Sequence, residues 1–292
     1  MEAEKAIEIF VDELRKQGRS NNTIKNYICD VKQYVKYTTP PTGGGGLIYA
    51  RHTVETYVQI FEKSDVKRTT INRKLSSLRL FFDTMTKYGI IDSNPLSETK
   101  RKSIAKQNDT RWLQRHQVRQ LFEAIDNKKQ SEAKRAKERA IFSVLVNCGL
   151  RIAEVCDLRM QDVDWSGGFF NVIGKGDKFR RVPFNSATQR AIVVWIRYRR
   201  PEGDYVFHSE RSDHMSTRAI QHMVTRIQSE VDYKFTAHDL RHTALKRIAD
   251  ETGKIEIVAS VAGHENVNTS RRYIEPSMQE IGEAMKRTEF DF

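Results

Sequence analysis

The stretch HDLRHTALKR, residues 238–247, places two histidines one helical turn apart with an arginine between them. His238 and His242 at that spacing share a helix face and could clasp a metal ion. Arg241 argues against it, because a guanidinium beside two ligands repels the cation they would hold. Upstream residues favour an anion instead. Thr236 with Asp239 three positions later is a capping box, which starts a helix and sets His238 in its first turn with Arg241 on the same side. A helix N-terminus attracts oxyanions through its unpaired N–H groups and positive dipole end. A phosphate-binding helix start is therefore expected, with His242 as a packed core histidine. Asp239 also stands where the zinc pattern HExxH requires glutamate.

Bulk composition agrees with a polyanionic partner. The 292 residues carry 50 Lys plus Arg against 38 Asp plus Glu, a net charge of +12, and the isoelectric point is near 9.6. Nucleic acid is the leading partner class, ahead of an acidic membrane surface. No apolar run approaches the ~20 residues that span a bilayer, and MEAEKAIEIF lacks the basic-then-apolar order of a signal peptide. A soluble, cytoplasmic, nucleoid-associated protein is expected. Three cysteines, Cys29, Cys148 and Cys156, are too few for a disulfide framework and read as reduced and mostly buried.

Working outward, the first hundred residues read as helices. Ile7, Phe10, Val11 and Leu14 share one face; after Gly18, with Ser20 as cap, Ile24, Tyr27, Ile28, Val31, Tyr34 and Val35 share another. TTPPTGGGG (38–46) stops that helix and predicts a flexible connection, with no Lys-Ser or Lys-Thr after the glycines to make a phosphate loop. A short amphipathic run spans Val54 to Phe61. The next places Ile71, Leu75, Leu78, Phe82 and Met85 at core spacing, with Arg73, Lys74 and Arg79 on a basic face that suits either DNA or solvent.

SNPLSETKRKSIAKQNDTR (93–111) reads as an interdomain linker, poor in large apolar groups and rich in cations. Domains are set at 1–98 and 111–292, with the connection at 99–110. The second domain opens with helices at Val118–Ile125 and Ala133–Val146. Its period changes at DWSGGFFNVIGKGDKFRRVPF (164–184), where GG and GKGD mark turns of a small antiparallel sheet of two or three strands. Helices resume from Ala187. The fold class is mainly α with one small antiparallel sheet.

Three more segments bear on the oxyanion site: CGLRIAEVCDLRM (148–160), VIGKGDKFRRVPF (172–184) and AGHENVNTSRRY (262–273). Together with HDLRH, the ordered set GLRIAE, GKGDKFRRVPF, HDLRH and GH followed nine residues later by Tyr resembles the catalytic domain of the tyrosine recombinases, the integrase and Xer-like family. The resemblance covers most of 111–292, and the preceding helical segment looks like that family's SAM-like core-binding domain. It implies a two-domain, C-shaped DNA clamp. Position by position it puts the family's first arginine at Arg151 with Glu154 in support, the hairpin lysine at Lys175, the HxxR pair at His238 and Arg241, the GH histidine at His264 and the nucleophile at Tyr273. Lys178, Arg180 and Arg181 read as DNA-backbone contacts or solvated strand charges. Ala244 and Ala262 depart from the family's usual residues, which bears on helix packing.

Those residue types suit phosphodiester transfer. Two arginines can fork the non-bridging oxygens while staying protonated. Tyr273, a phenol of pKa ~10, needs a proton acceptor, for which His238 is the expected group, and Lys175 is the expected donor to the leaving 5′ oxygen. The resemblance implies site-specific cleavage and rejoining of duplex DNA through a 3′-phosphotyrosyl bond and a Holliday junction. It implies neither metal nor ATP, since the covalent bond conserves the energy of the broken one. Resolution of chromosome, plasmid or transposon multimers is the expected use. A type IB topoisomerase, an integrase of a mobile element and a non-catalytic DNA-binding regulator are the alternatives. Ser277 and Glu280 make a second capping box after Pro276, and Met278, Ile281 and Met285 a narrow apolar stripe. In the family such a terminal helix exchanges between protomers. A homotetramer on two DNA sites with paired half-sites follows as an expectation, with a second recombinase or an accessory protein as the alternative company. A separate arm-binding domain is not expected before the helical segment.

Overall fold

The structure, a computed structural model, describes residues 2–38, 49–63, 66–99, 110–174, 178–210, 212–274 and 285–287. The chain divides into two compact units, Met1–Gln107 and Asn108–Phe292.

The first unit contains α1 (Ala3–Lys16), α2 (Asn21–Thr38), α3 (Arg51–Lys63) and α4 (Arg68–Lys87). Its core is the set of apolar faces read from the periodicity. Phe10, Leu14, Val31, Tyr34, Leu78 and Phe82 are buried, and Phe10 meets Phe81 edge-on at 5.3 Å between ring centroids. Gly18 turns the chain between α1 and α2 at φ 65°, a left-handed conformation that favours glycine. The Ser20 hydroxyl accepts the Thr23 N–H at 3.3 Å, the expected cap. Most of the TTPPTGGGG connection lies outside the described residues.

Part of the stretch read as linker is packed. Leu96 is fully buried, and Asn94 Nδ2 donates to the Arg79 carbonyl at 3.1 Å and to Asp83 Oδ1 at 2.6 Å. One buried leucine anchors what the surrounding polar composition makes look loose.

The second unit has α5 (Arg115–Asn127), α6 (Glu132–Ser143), a π-helical turn (Val144–Cys148), α7 (Ile152–Asp157), β1 (Val163–Asp164), β2 (Phe169–Ile173), β3 (Phe179–Pro183), α8 (Ser186–Ile196), α9 (Thr217–Gln228), α10 (Ala237–Thr252), α11 (Ile255–Ala262) and a 3-10 turn, Val267–Tyr273. The sheet is antiparallel in the order β1-β2-β3. Phe170 opposes Val182 on the buried face. The π-helical turn ends at Gly149, φ 65°. A Cβ there would stand 3.3 Å from the Ala244 Cβ, so a small residue at 244 lets α10 approach this turn. Ala262 is fully buried as well. Both departures from the family pattern thus sit in tightly packed surroundings. Cys148 and Cys156 are buried and Cys29 exposed, all as free thiols. The second capping box, Ser277 with Glu280, and the stripe residues Met278 and Ile281 lie outside the described residues.

Candidate active site

Helix α10 begins as its capping box dictates. The Thr236 hydroxyl accepts the Asp239 N–H at 3.2 Å, and Asp239 Oδ2 accepts the Thr236 N–H at 2.8 Å. His238 lies exposed in the first turn, while Arg241 and His242 one turn later are buried.

Arg241 is 3 % exposed. Its two terminal nitrogens donate to backbone carbonyls, Nη1 to Gly149 at 2.5 Å and Nη2 to Ala262 at 2.6 Å. Burial, then the neighbouring Arg151 charge, pushes its pKa down to about 10, which leaves it protonated at neutral pH. Arg151 precedes α7 and is 36 % exposed. Its Nη1 donates to Glu154 Oε1 at 2.9 Å, its backbone N–H to Glu154 Oε2 at 2.6 Å, and its Nη2 to the Gly263 carbonyl at 3.1 Å.

Glu154 joins these cations. Besides Arg151 it takes both terminal nitrogens of Arg180, Nη1 on Oε1 at 2.9 Å and Nη2 on Oε2 at 2.8 Å, while Arg241 Nη1 stays 3.8 Å away. Burial alone would raise the Glu154 pKa; the Arg180 and Arg151 hydrogen bonds outweigh it and hold the carboxyl below its ordinary range.

Three consecutive carbonyls at the end of α11 each accept from a different arginine. Arg180 Nε meets Val261 at 3.0 Å, Arg241 Nη2 meets Ala262, and Arg151 Nη2 meets Gly263. The last carbonyls of a helix lack intrahelical partners and form its negative dipole end, so three guanidiniums satisfy them. Gly263 closes the helix at φ 62°, and His264 follows with its Nδ1 2.7 Å from the Ser270 hydroxyl. Burial, then Arg241 and Arg151, brings the His264 pKa down to about 4. A cleft of 630 Å³ opens beside this cluster, bordered by Arg151, Gly174, Arg180 and His264.

Tyr273 is 2 % exposed, its ring among Leu245, Ala249, Val258 and Ala262. Its hydroxyl is the polar end of that packing and hydrogen-bonds His242 Nδ1. Burial raises the phenol pKa, opposed by the fields of Arg241, Arg272 and Arg151. His242, 6 % exposed, has its pKa driven to about 3 by burial and then by His238, whose ring packs edge-on against it at 4.1 Å between centroids. The side it buries, then Arg241, lowers the His238 pKa too. The reading of His242 as a packing residue is therefore incomplete, because it touches the Tyr273 oxygen while His238 stands behind it.

Arg151, Glu154, His238, Arg241, His264 and Tyr273 come together in the second unit, and Lys175 lies outside the described residues. Among the strand cations, Lys178 pairs with Glu265 at 2.9 Å and Arg181 is exposed. Arg180 is only 11 % exposed and pairs with Glu154, so it is no solvated strand charge. It shares the inner face of β3 with buried Val182 and pairs with buried Val172, so strand alternation turns it inward, but the carboxylate it reaches is on another element. In the first unit Arg73 bonds the buried Asp30, Lys74 bonds Gln33 and lies 4.3 Å from the Phe61 ring centroid, and Arg79 donates to the Leu96 and Thr99 carbonyls. Among the described residues no three His, Cys, Asp or Glu side chains are grouped as a metal site, and no helix is long and apolar enough to cross a membrane.

This constellation of arginines, histidines and a tyrosine on a mainly helical unit agrees with two family comparisons. Residues 111–280 match the phage integrase family and residues 7–89 the phage integrase N-terminal SAM-like domain. The chain belongs to the phage integrase family, the tyrosine recombinases. Among its relatives is the tyrosine recombinase XerC of Lacticaseibacillus casei, 26 % identical over 278 residues and 90 % of each chain. The tyrosine recombinase of Thermosipho africanus is 29 % identical over 293 residues, 97 % of this chain and 99 % of that one. Solved structures share the fold. XerH site-specific recombinase bound to difH substrate gives a TM-score of 0.70 at 21 % identity, covering 96 % of this chain and 85 % of that one. The Tn1549 transposon integrase with circular intermediate DNA gives 0.73 at 18 % identity, covering 98 % and 99 %.

Proposed function

We propose that this protein is a site-specific tyrosine recombinase that cuts and rejoins duplex DNA, with Tyr273 as nucleophile. The observation that carries the reading is the hydrogen bond of the Tyr273 hydroxyl to His242, one residue from the buried, doubly anchored Arg241.

In the reaction Tyr273 Oη attacks the scissile phosphorus and gives its proton to His242. The hydrogen bond between the Tyr273 hydroxyl and His242 Nδ1 supports this route, which uses the tautomer with its proton on Nε2. Arg151 and Arg241 hold the non-bridging oxygens as negative charge gathers there, with hydrogen bonds from His264 and from His238 at the start of α10. Preorganisation supports this, because carbonyl contacts already fix both guanidiniums and little reorganisation is needed when substrate arrives. The P–O5′ bond breaks, the 5′ oxygen takes a proton from Lys175, and a 3′-phosphotyrosyl ester remains. A 5′-hydroxyl from a second duplex then attacks that ester and releases Tyr273, so two such exchanges pass through a Holliday junction. Bond energy is conserved throughout, which is why the scheme uses no ATP; the charge stabilisation a metal would supply comes from the arginines.

The domains we assign are 1–98 for core binding and 111–292 for catalysis, joined by 99–110. A homotetramer on two DNA sites is the assembly this chemistry requires, and the enzyme acts where its DNA lies, in the nucleoid. Arg73, Lys74, Arg79 and Lys178 remain proposed DNA contacts, each by exchanging or sharing an internal partner.

The test is covalent capture. A library of nicked duplexes with randomised half-sites, in which the cut strand loses a short 5′-hydroxyl fragment, should yield a denaturation-resistant protein–DNA adduct, and peptide mapping should locate it at Tyr273. Absence of any adduct from a library that the protein binds would overturn the reading.

A further inference from the structure

We propose that Arg180 is a positioning residue for strand cleavage: it saturates the Glu154 carboxylate so that Arg151 and Arg241 stay available to the scissile phosphate. The inference rests on the recombinase reading and adds a residue to it.

Hydrogen-bonding capacity is the first ground. An ionised carboxylate offers about four lone-pair sites. In Glu154 four donors occupy them: Arg151 Nη1 and Arg180 Nη1 on Oε1, the Arg151 backbone N–H and Arg180 Nη2 on Oε2. Arg241, at 3.8 Å, is left outside this set. Arg180 contributes the only two-pronged guanidinium among these contacts. Were it removed, a buried carboxylate would face Arg151 and Arg241, its nearest remaining cations among the described residues, with half its sites vacant. A charge in that setting recruits them strongly. Each guanidinium it recruits is one turned from the phosphate.

A second observation concerns placement. Arg180 Nε also donates to Val261, on the carbonyl row that holds the other two arginines. A Cβ added at Gly263 would fall 3.1 Å from Arg180 Nη1, and one at Gly174 would fall 3.3 Å from the same atom. The side chain therefore fills the space between β3, α7 and the end of α11, directly before His264. It reaches the groups that would contact substrate only through Glu154 and this carbonyl row.

The experiment compares wild type, Arg180→Met, Arg180→Lys, Glu154→Gln and the double variant Glu154→Gln/Arg180→Met. Single-turnover cleavage of a nicked duplex recovered from the capture library is measured at saturating protein, with affinity for the same duplex measured separately. Arg180→Met is expected to slow cleavage about 100-fold while affinity changes less than about 3-fold, because the loss is in alignment and not in charge reaching the backbone. Arg180→Lys should recover only part of the rate, since an ammonium cannot fork two oxygens. The double variant should cleave at least about 10-fold faster than Arg180→Met, because the neutral amide that replaces the carboxylate no longer competes for the arginines. Acidification supplies a signature that simple loss of packing would not move. Without Arg180 the Glu154 carboxyl protonates more readily, so the ratio of the Arg180→Met rate to wild type should rise as pH falls from 8 to 6.

If Arg180→Met does not fold, the Arg180→Lys and double-variant comparison decides the matter alone. A double variant that folds and binds but cleaves no faster than either Arg180 single variant overturns the proposal, as does an Arg180→Met rate within about 3-fold of wild type. A wild-type chain that forms no adduct overturns the recombinase reading and this one with it. A wild-type adduct with unaffected Arg180 variants removes Arg180 alone.

Discussion

The Tyr273 hydroxyl hydrogen-bonds His242 Nδ1, 31 positions away in the chain, and not His238, the histidine that the family motif puts forward as its partner. The Tyr273 ring is held by Leu245, Val258 and Ala262 while its oxygen faces an imidazole that burial keeps neutral. Packing of the ring and hydrogen bonding of the oxygen thus converge on a single side chain.

Replacing Tyr273 with Phe tests the nucleophile. The adduct should vanish, while duplex affinity stays within about 3-fold because the cations remain. Loss of the hydroxyl leaves His242 with one contact fewer, so a stability cost of about 1 kcal/mol is expected. Adduct formation measured on denaturing gels and thermal melting check the two parts; persistence of the adduct would move the nucleophile elsewhere.

His242→Gln should slow cleavage by about 10²- to 10⁴-fold, the usual contribution of a positioned general base. His238→Gln should cost less, since glutamine can still donate to a phosphate oxygen from the first turn of α10. The order of the two rates is the discriminating result. A larger loss at His238 would mean that the Tyr273–His242 bond belongs to the resting enzyme and is broken before attack.

Stability should fall as the solution is acidified from pH 7.5 to 5. In the unfolded chain His242 and His264 titrate near ~6.5, whereas burial holds them at about 3 and about 4 in the native state. Below the unfolded value the unfolded chain binds protons that the native one refuses, so stability present above ~6.5 is lost toward the folded values. For His242 alone the loss at pH 5 is about 2 kcal/mol. Glu154 is shifted downward as well, but its stabilisation is lost only below the unfolded carboxyl range of ~4.3. Thermal melts of wild type and His242→Gln at both pH values should show the smaller drop in the variant.

Arg73→Ala separates a structural cation from a DNA contact. Asp30 is 2 % exposed and bonded by Arg73 and by the Ser77 hydroxyl at 2.7 Å. Removing the 44 % exposed arginine leaves the buried carboxylate with Ser77 as its remaining side-chain partner among the described residues, a cost of about 1–3 kcal/mol. If Arg73 also meets a phosphate, the slope of log affinity against log salt should become shallower by about one unit. Denaturant melts of the variant and binding titrations over a salt series measure the two effects independently.

Much of the architecture was legible locally. The faces of α1, α2 and α4 follow from apolar spacing, the start of α10 from Thr236 and Asp239, and the sheet from the glycine turns around Phe170 and Val182. Arg151 with Glu154 was legible for the same reason, being three residues apart. Leu96 was missed because a single apolar residue in a polar stretch has no period to announce it.

What the sequence by itself determined is which residue types occur and which way each points from its own helix or strand, because backbone period fixes side-chain direction over a turn or two. Only the tertiary structure decided that Arg180 finds Glu154, that three arginines share the last carbonyls of α11, and that His242 meets Tyr273. Those partners lie 21 to 112 residues apart, and no local pattern encodes a distance between elements. That distance is set by how the buried faces pack, and packing is satisfied only when the whole core is assembled.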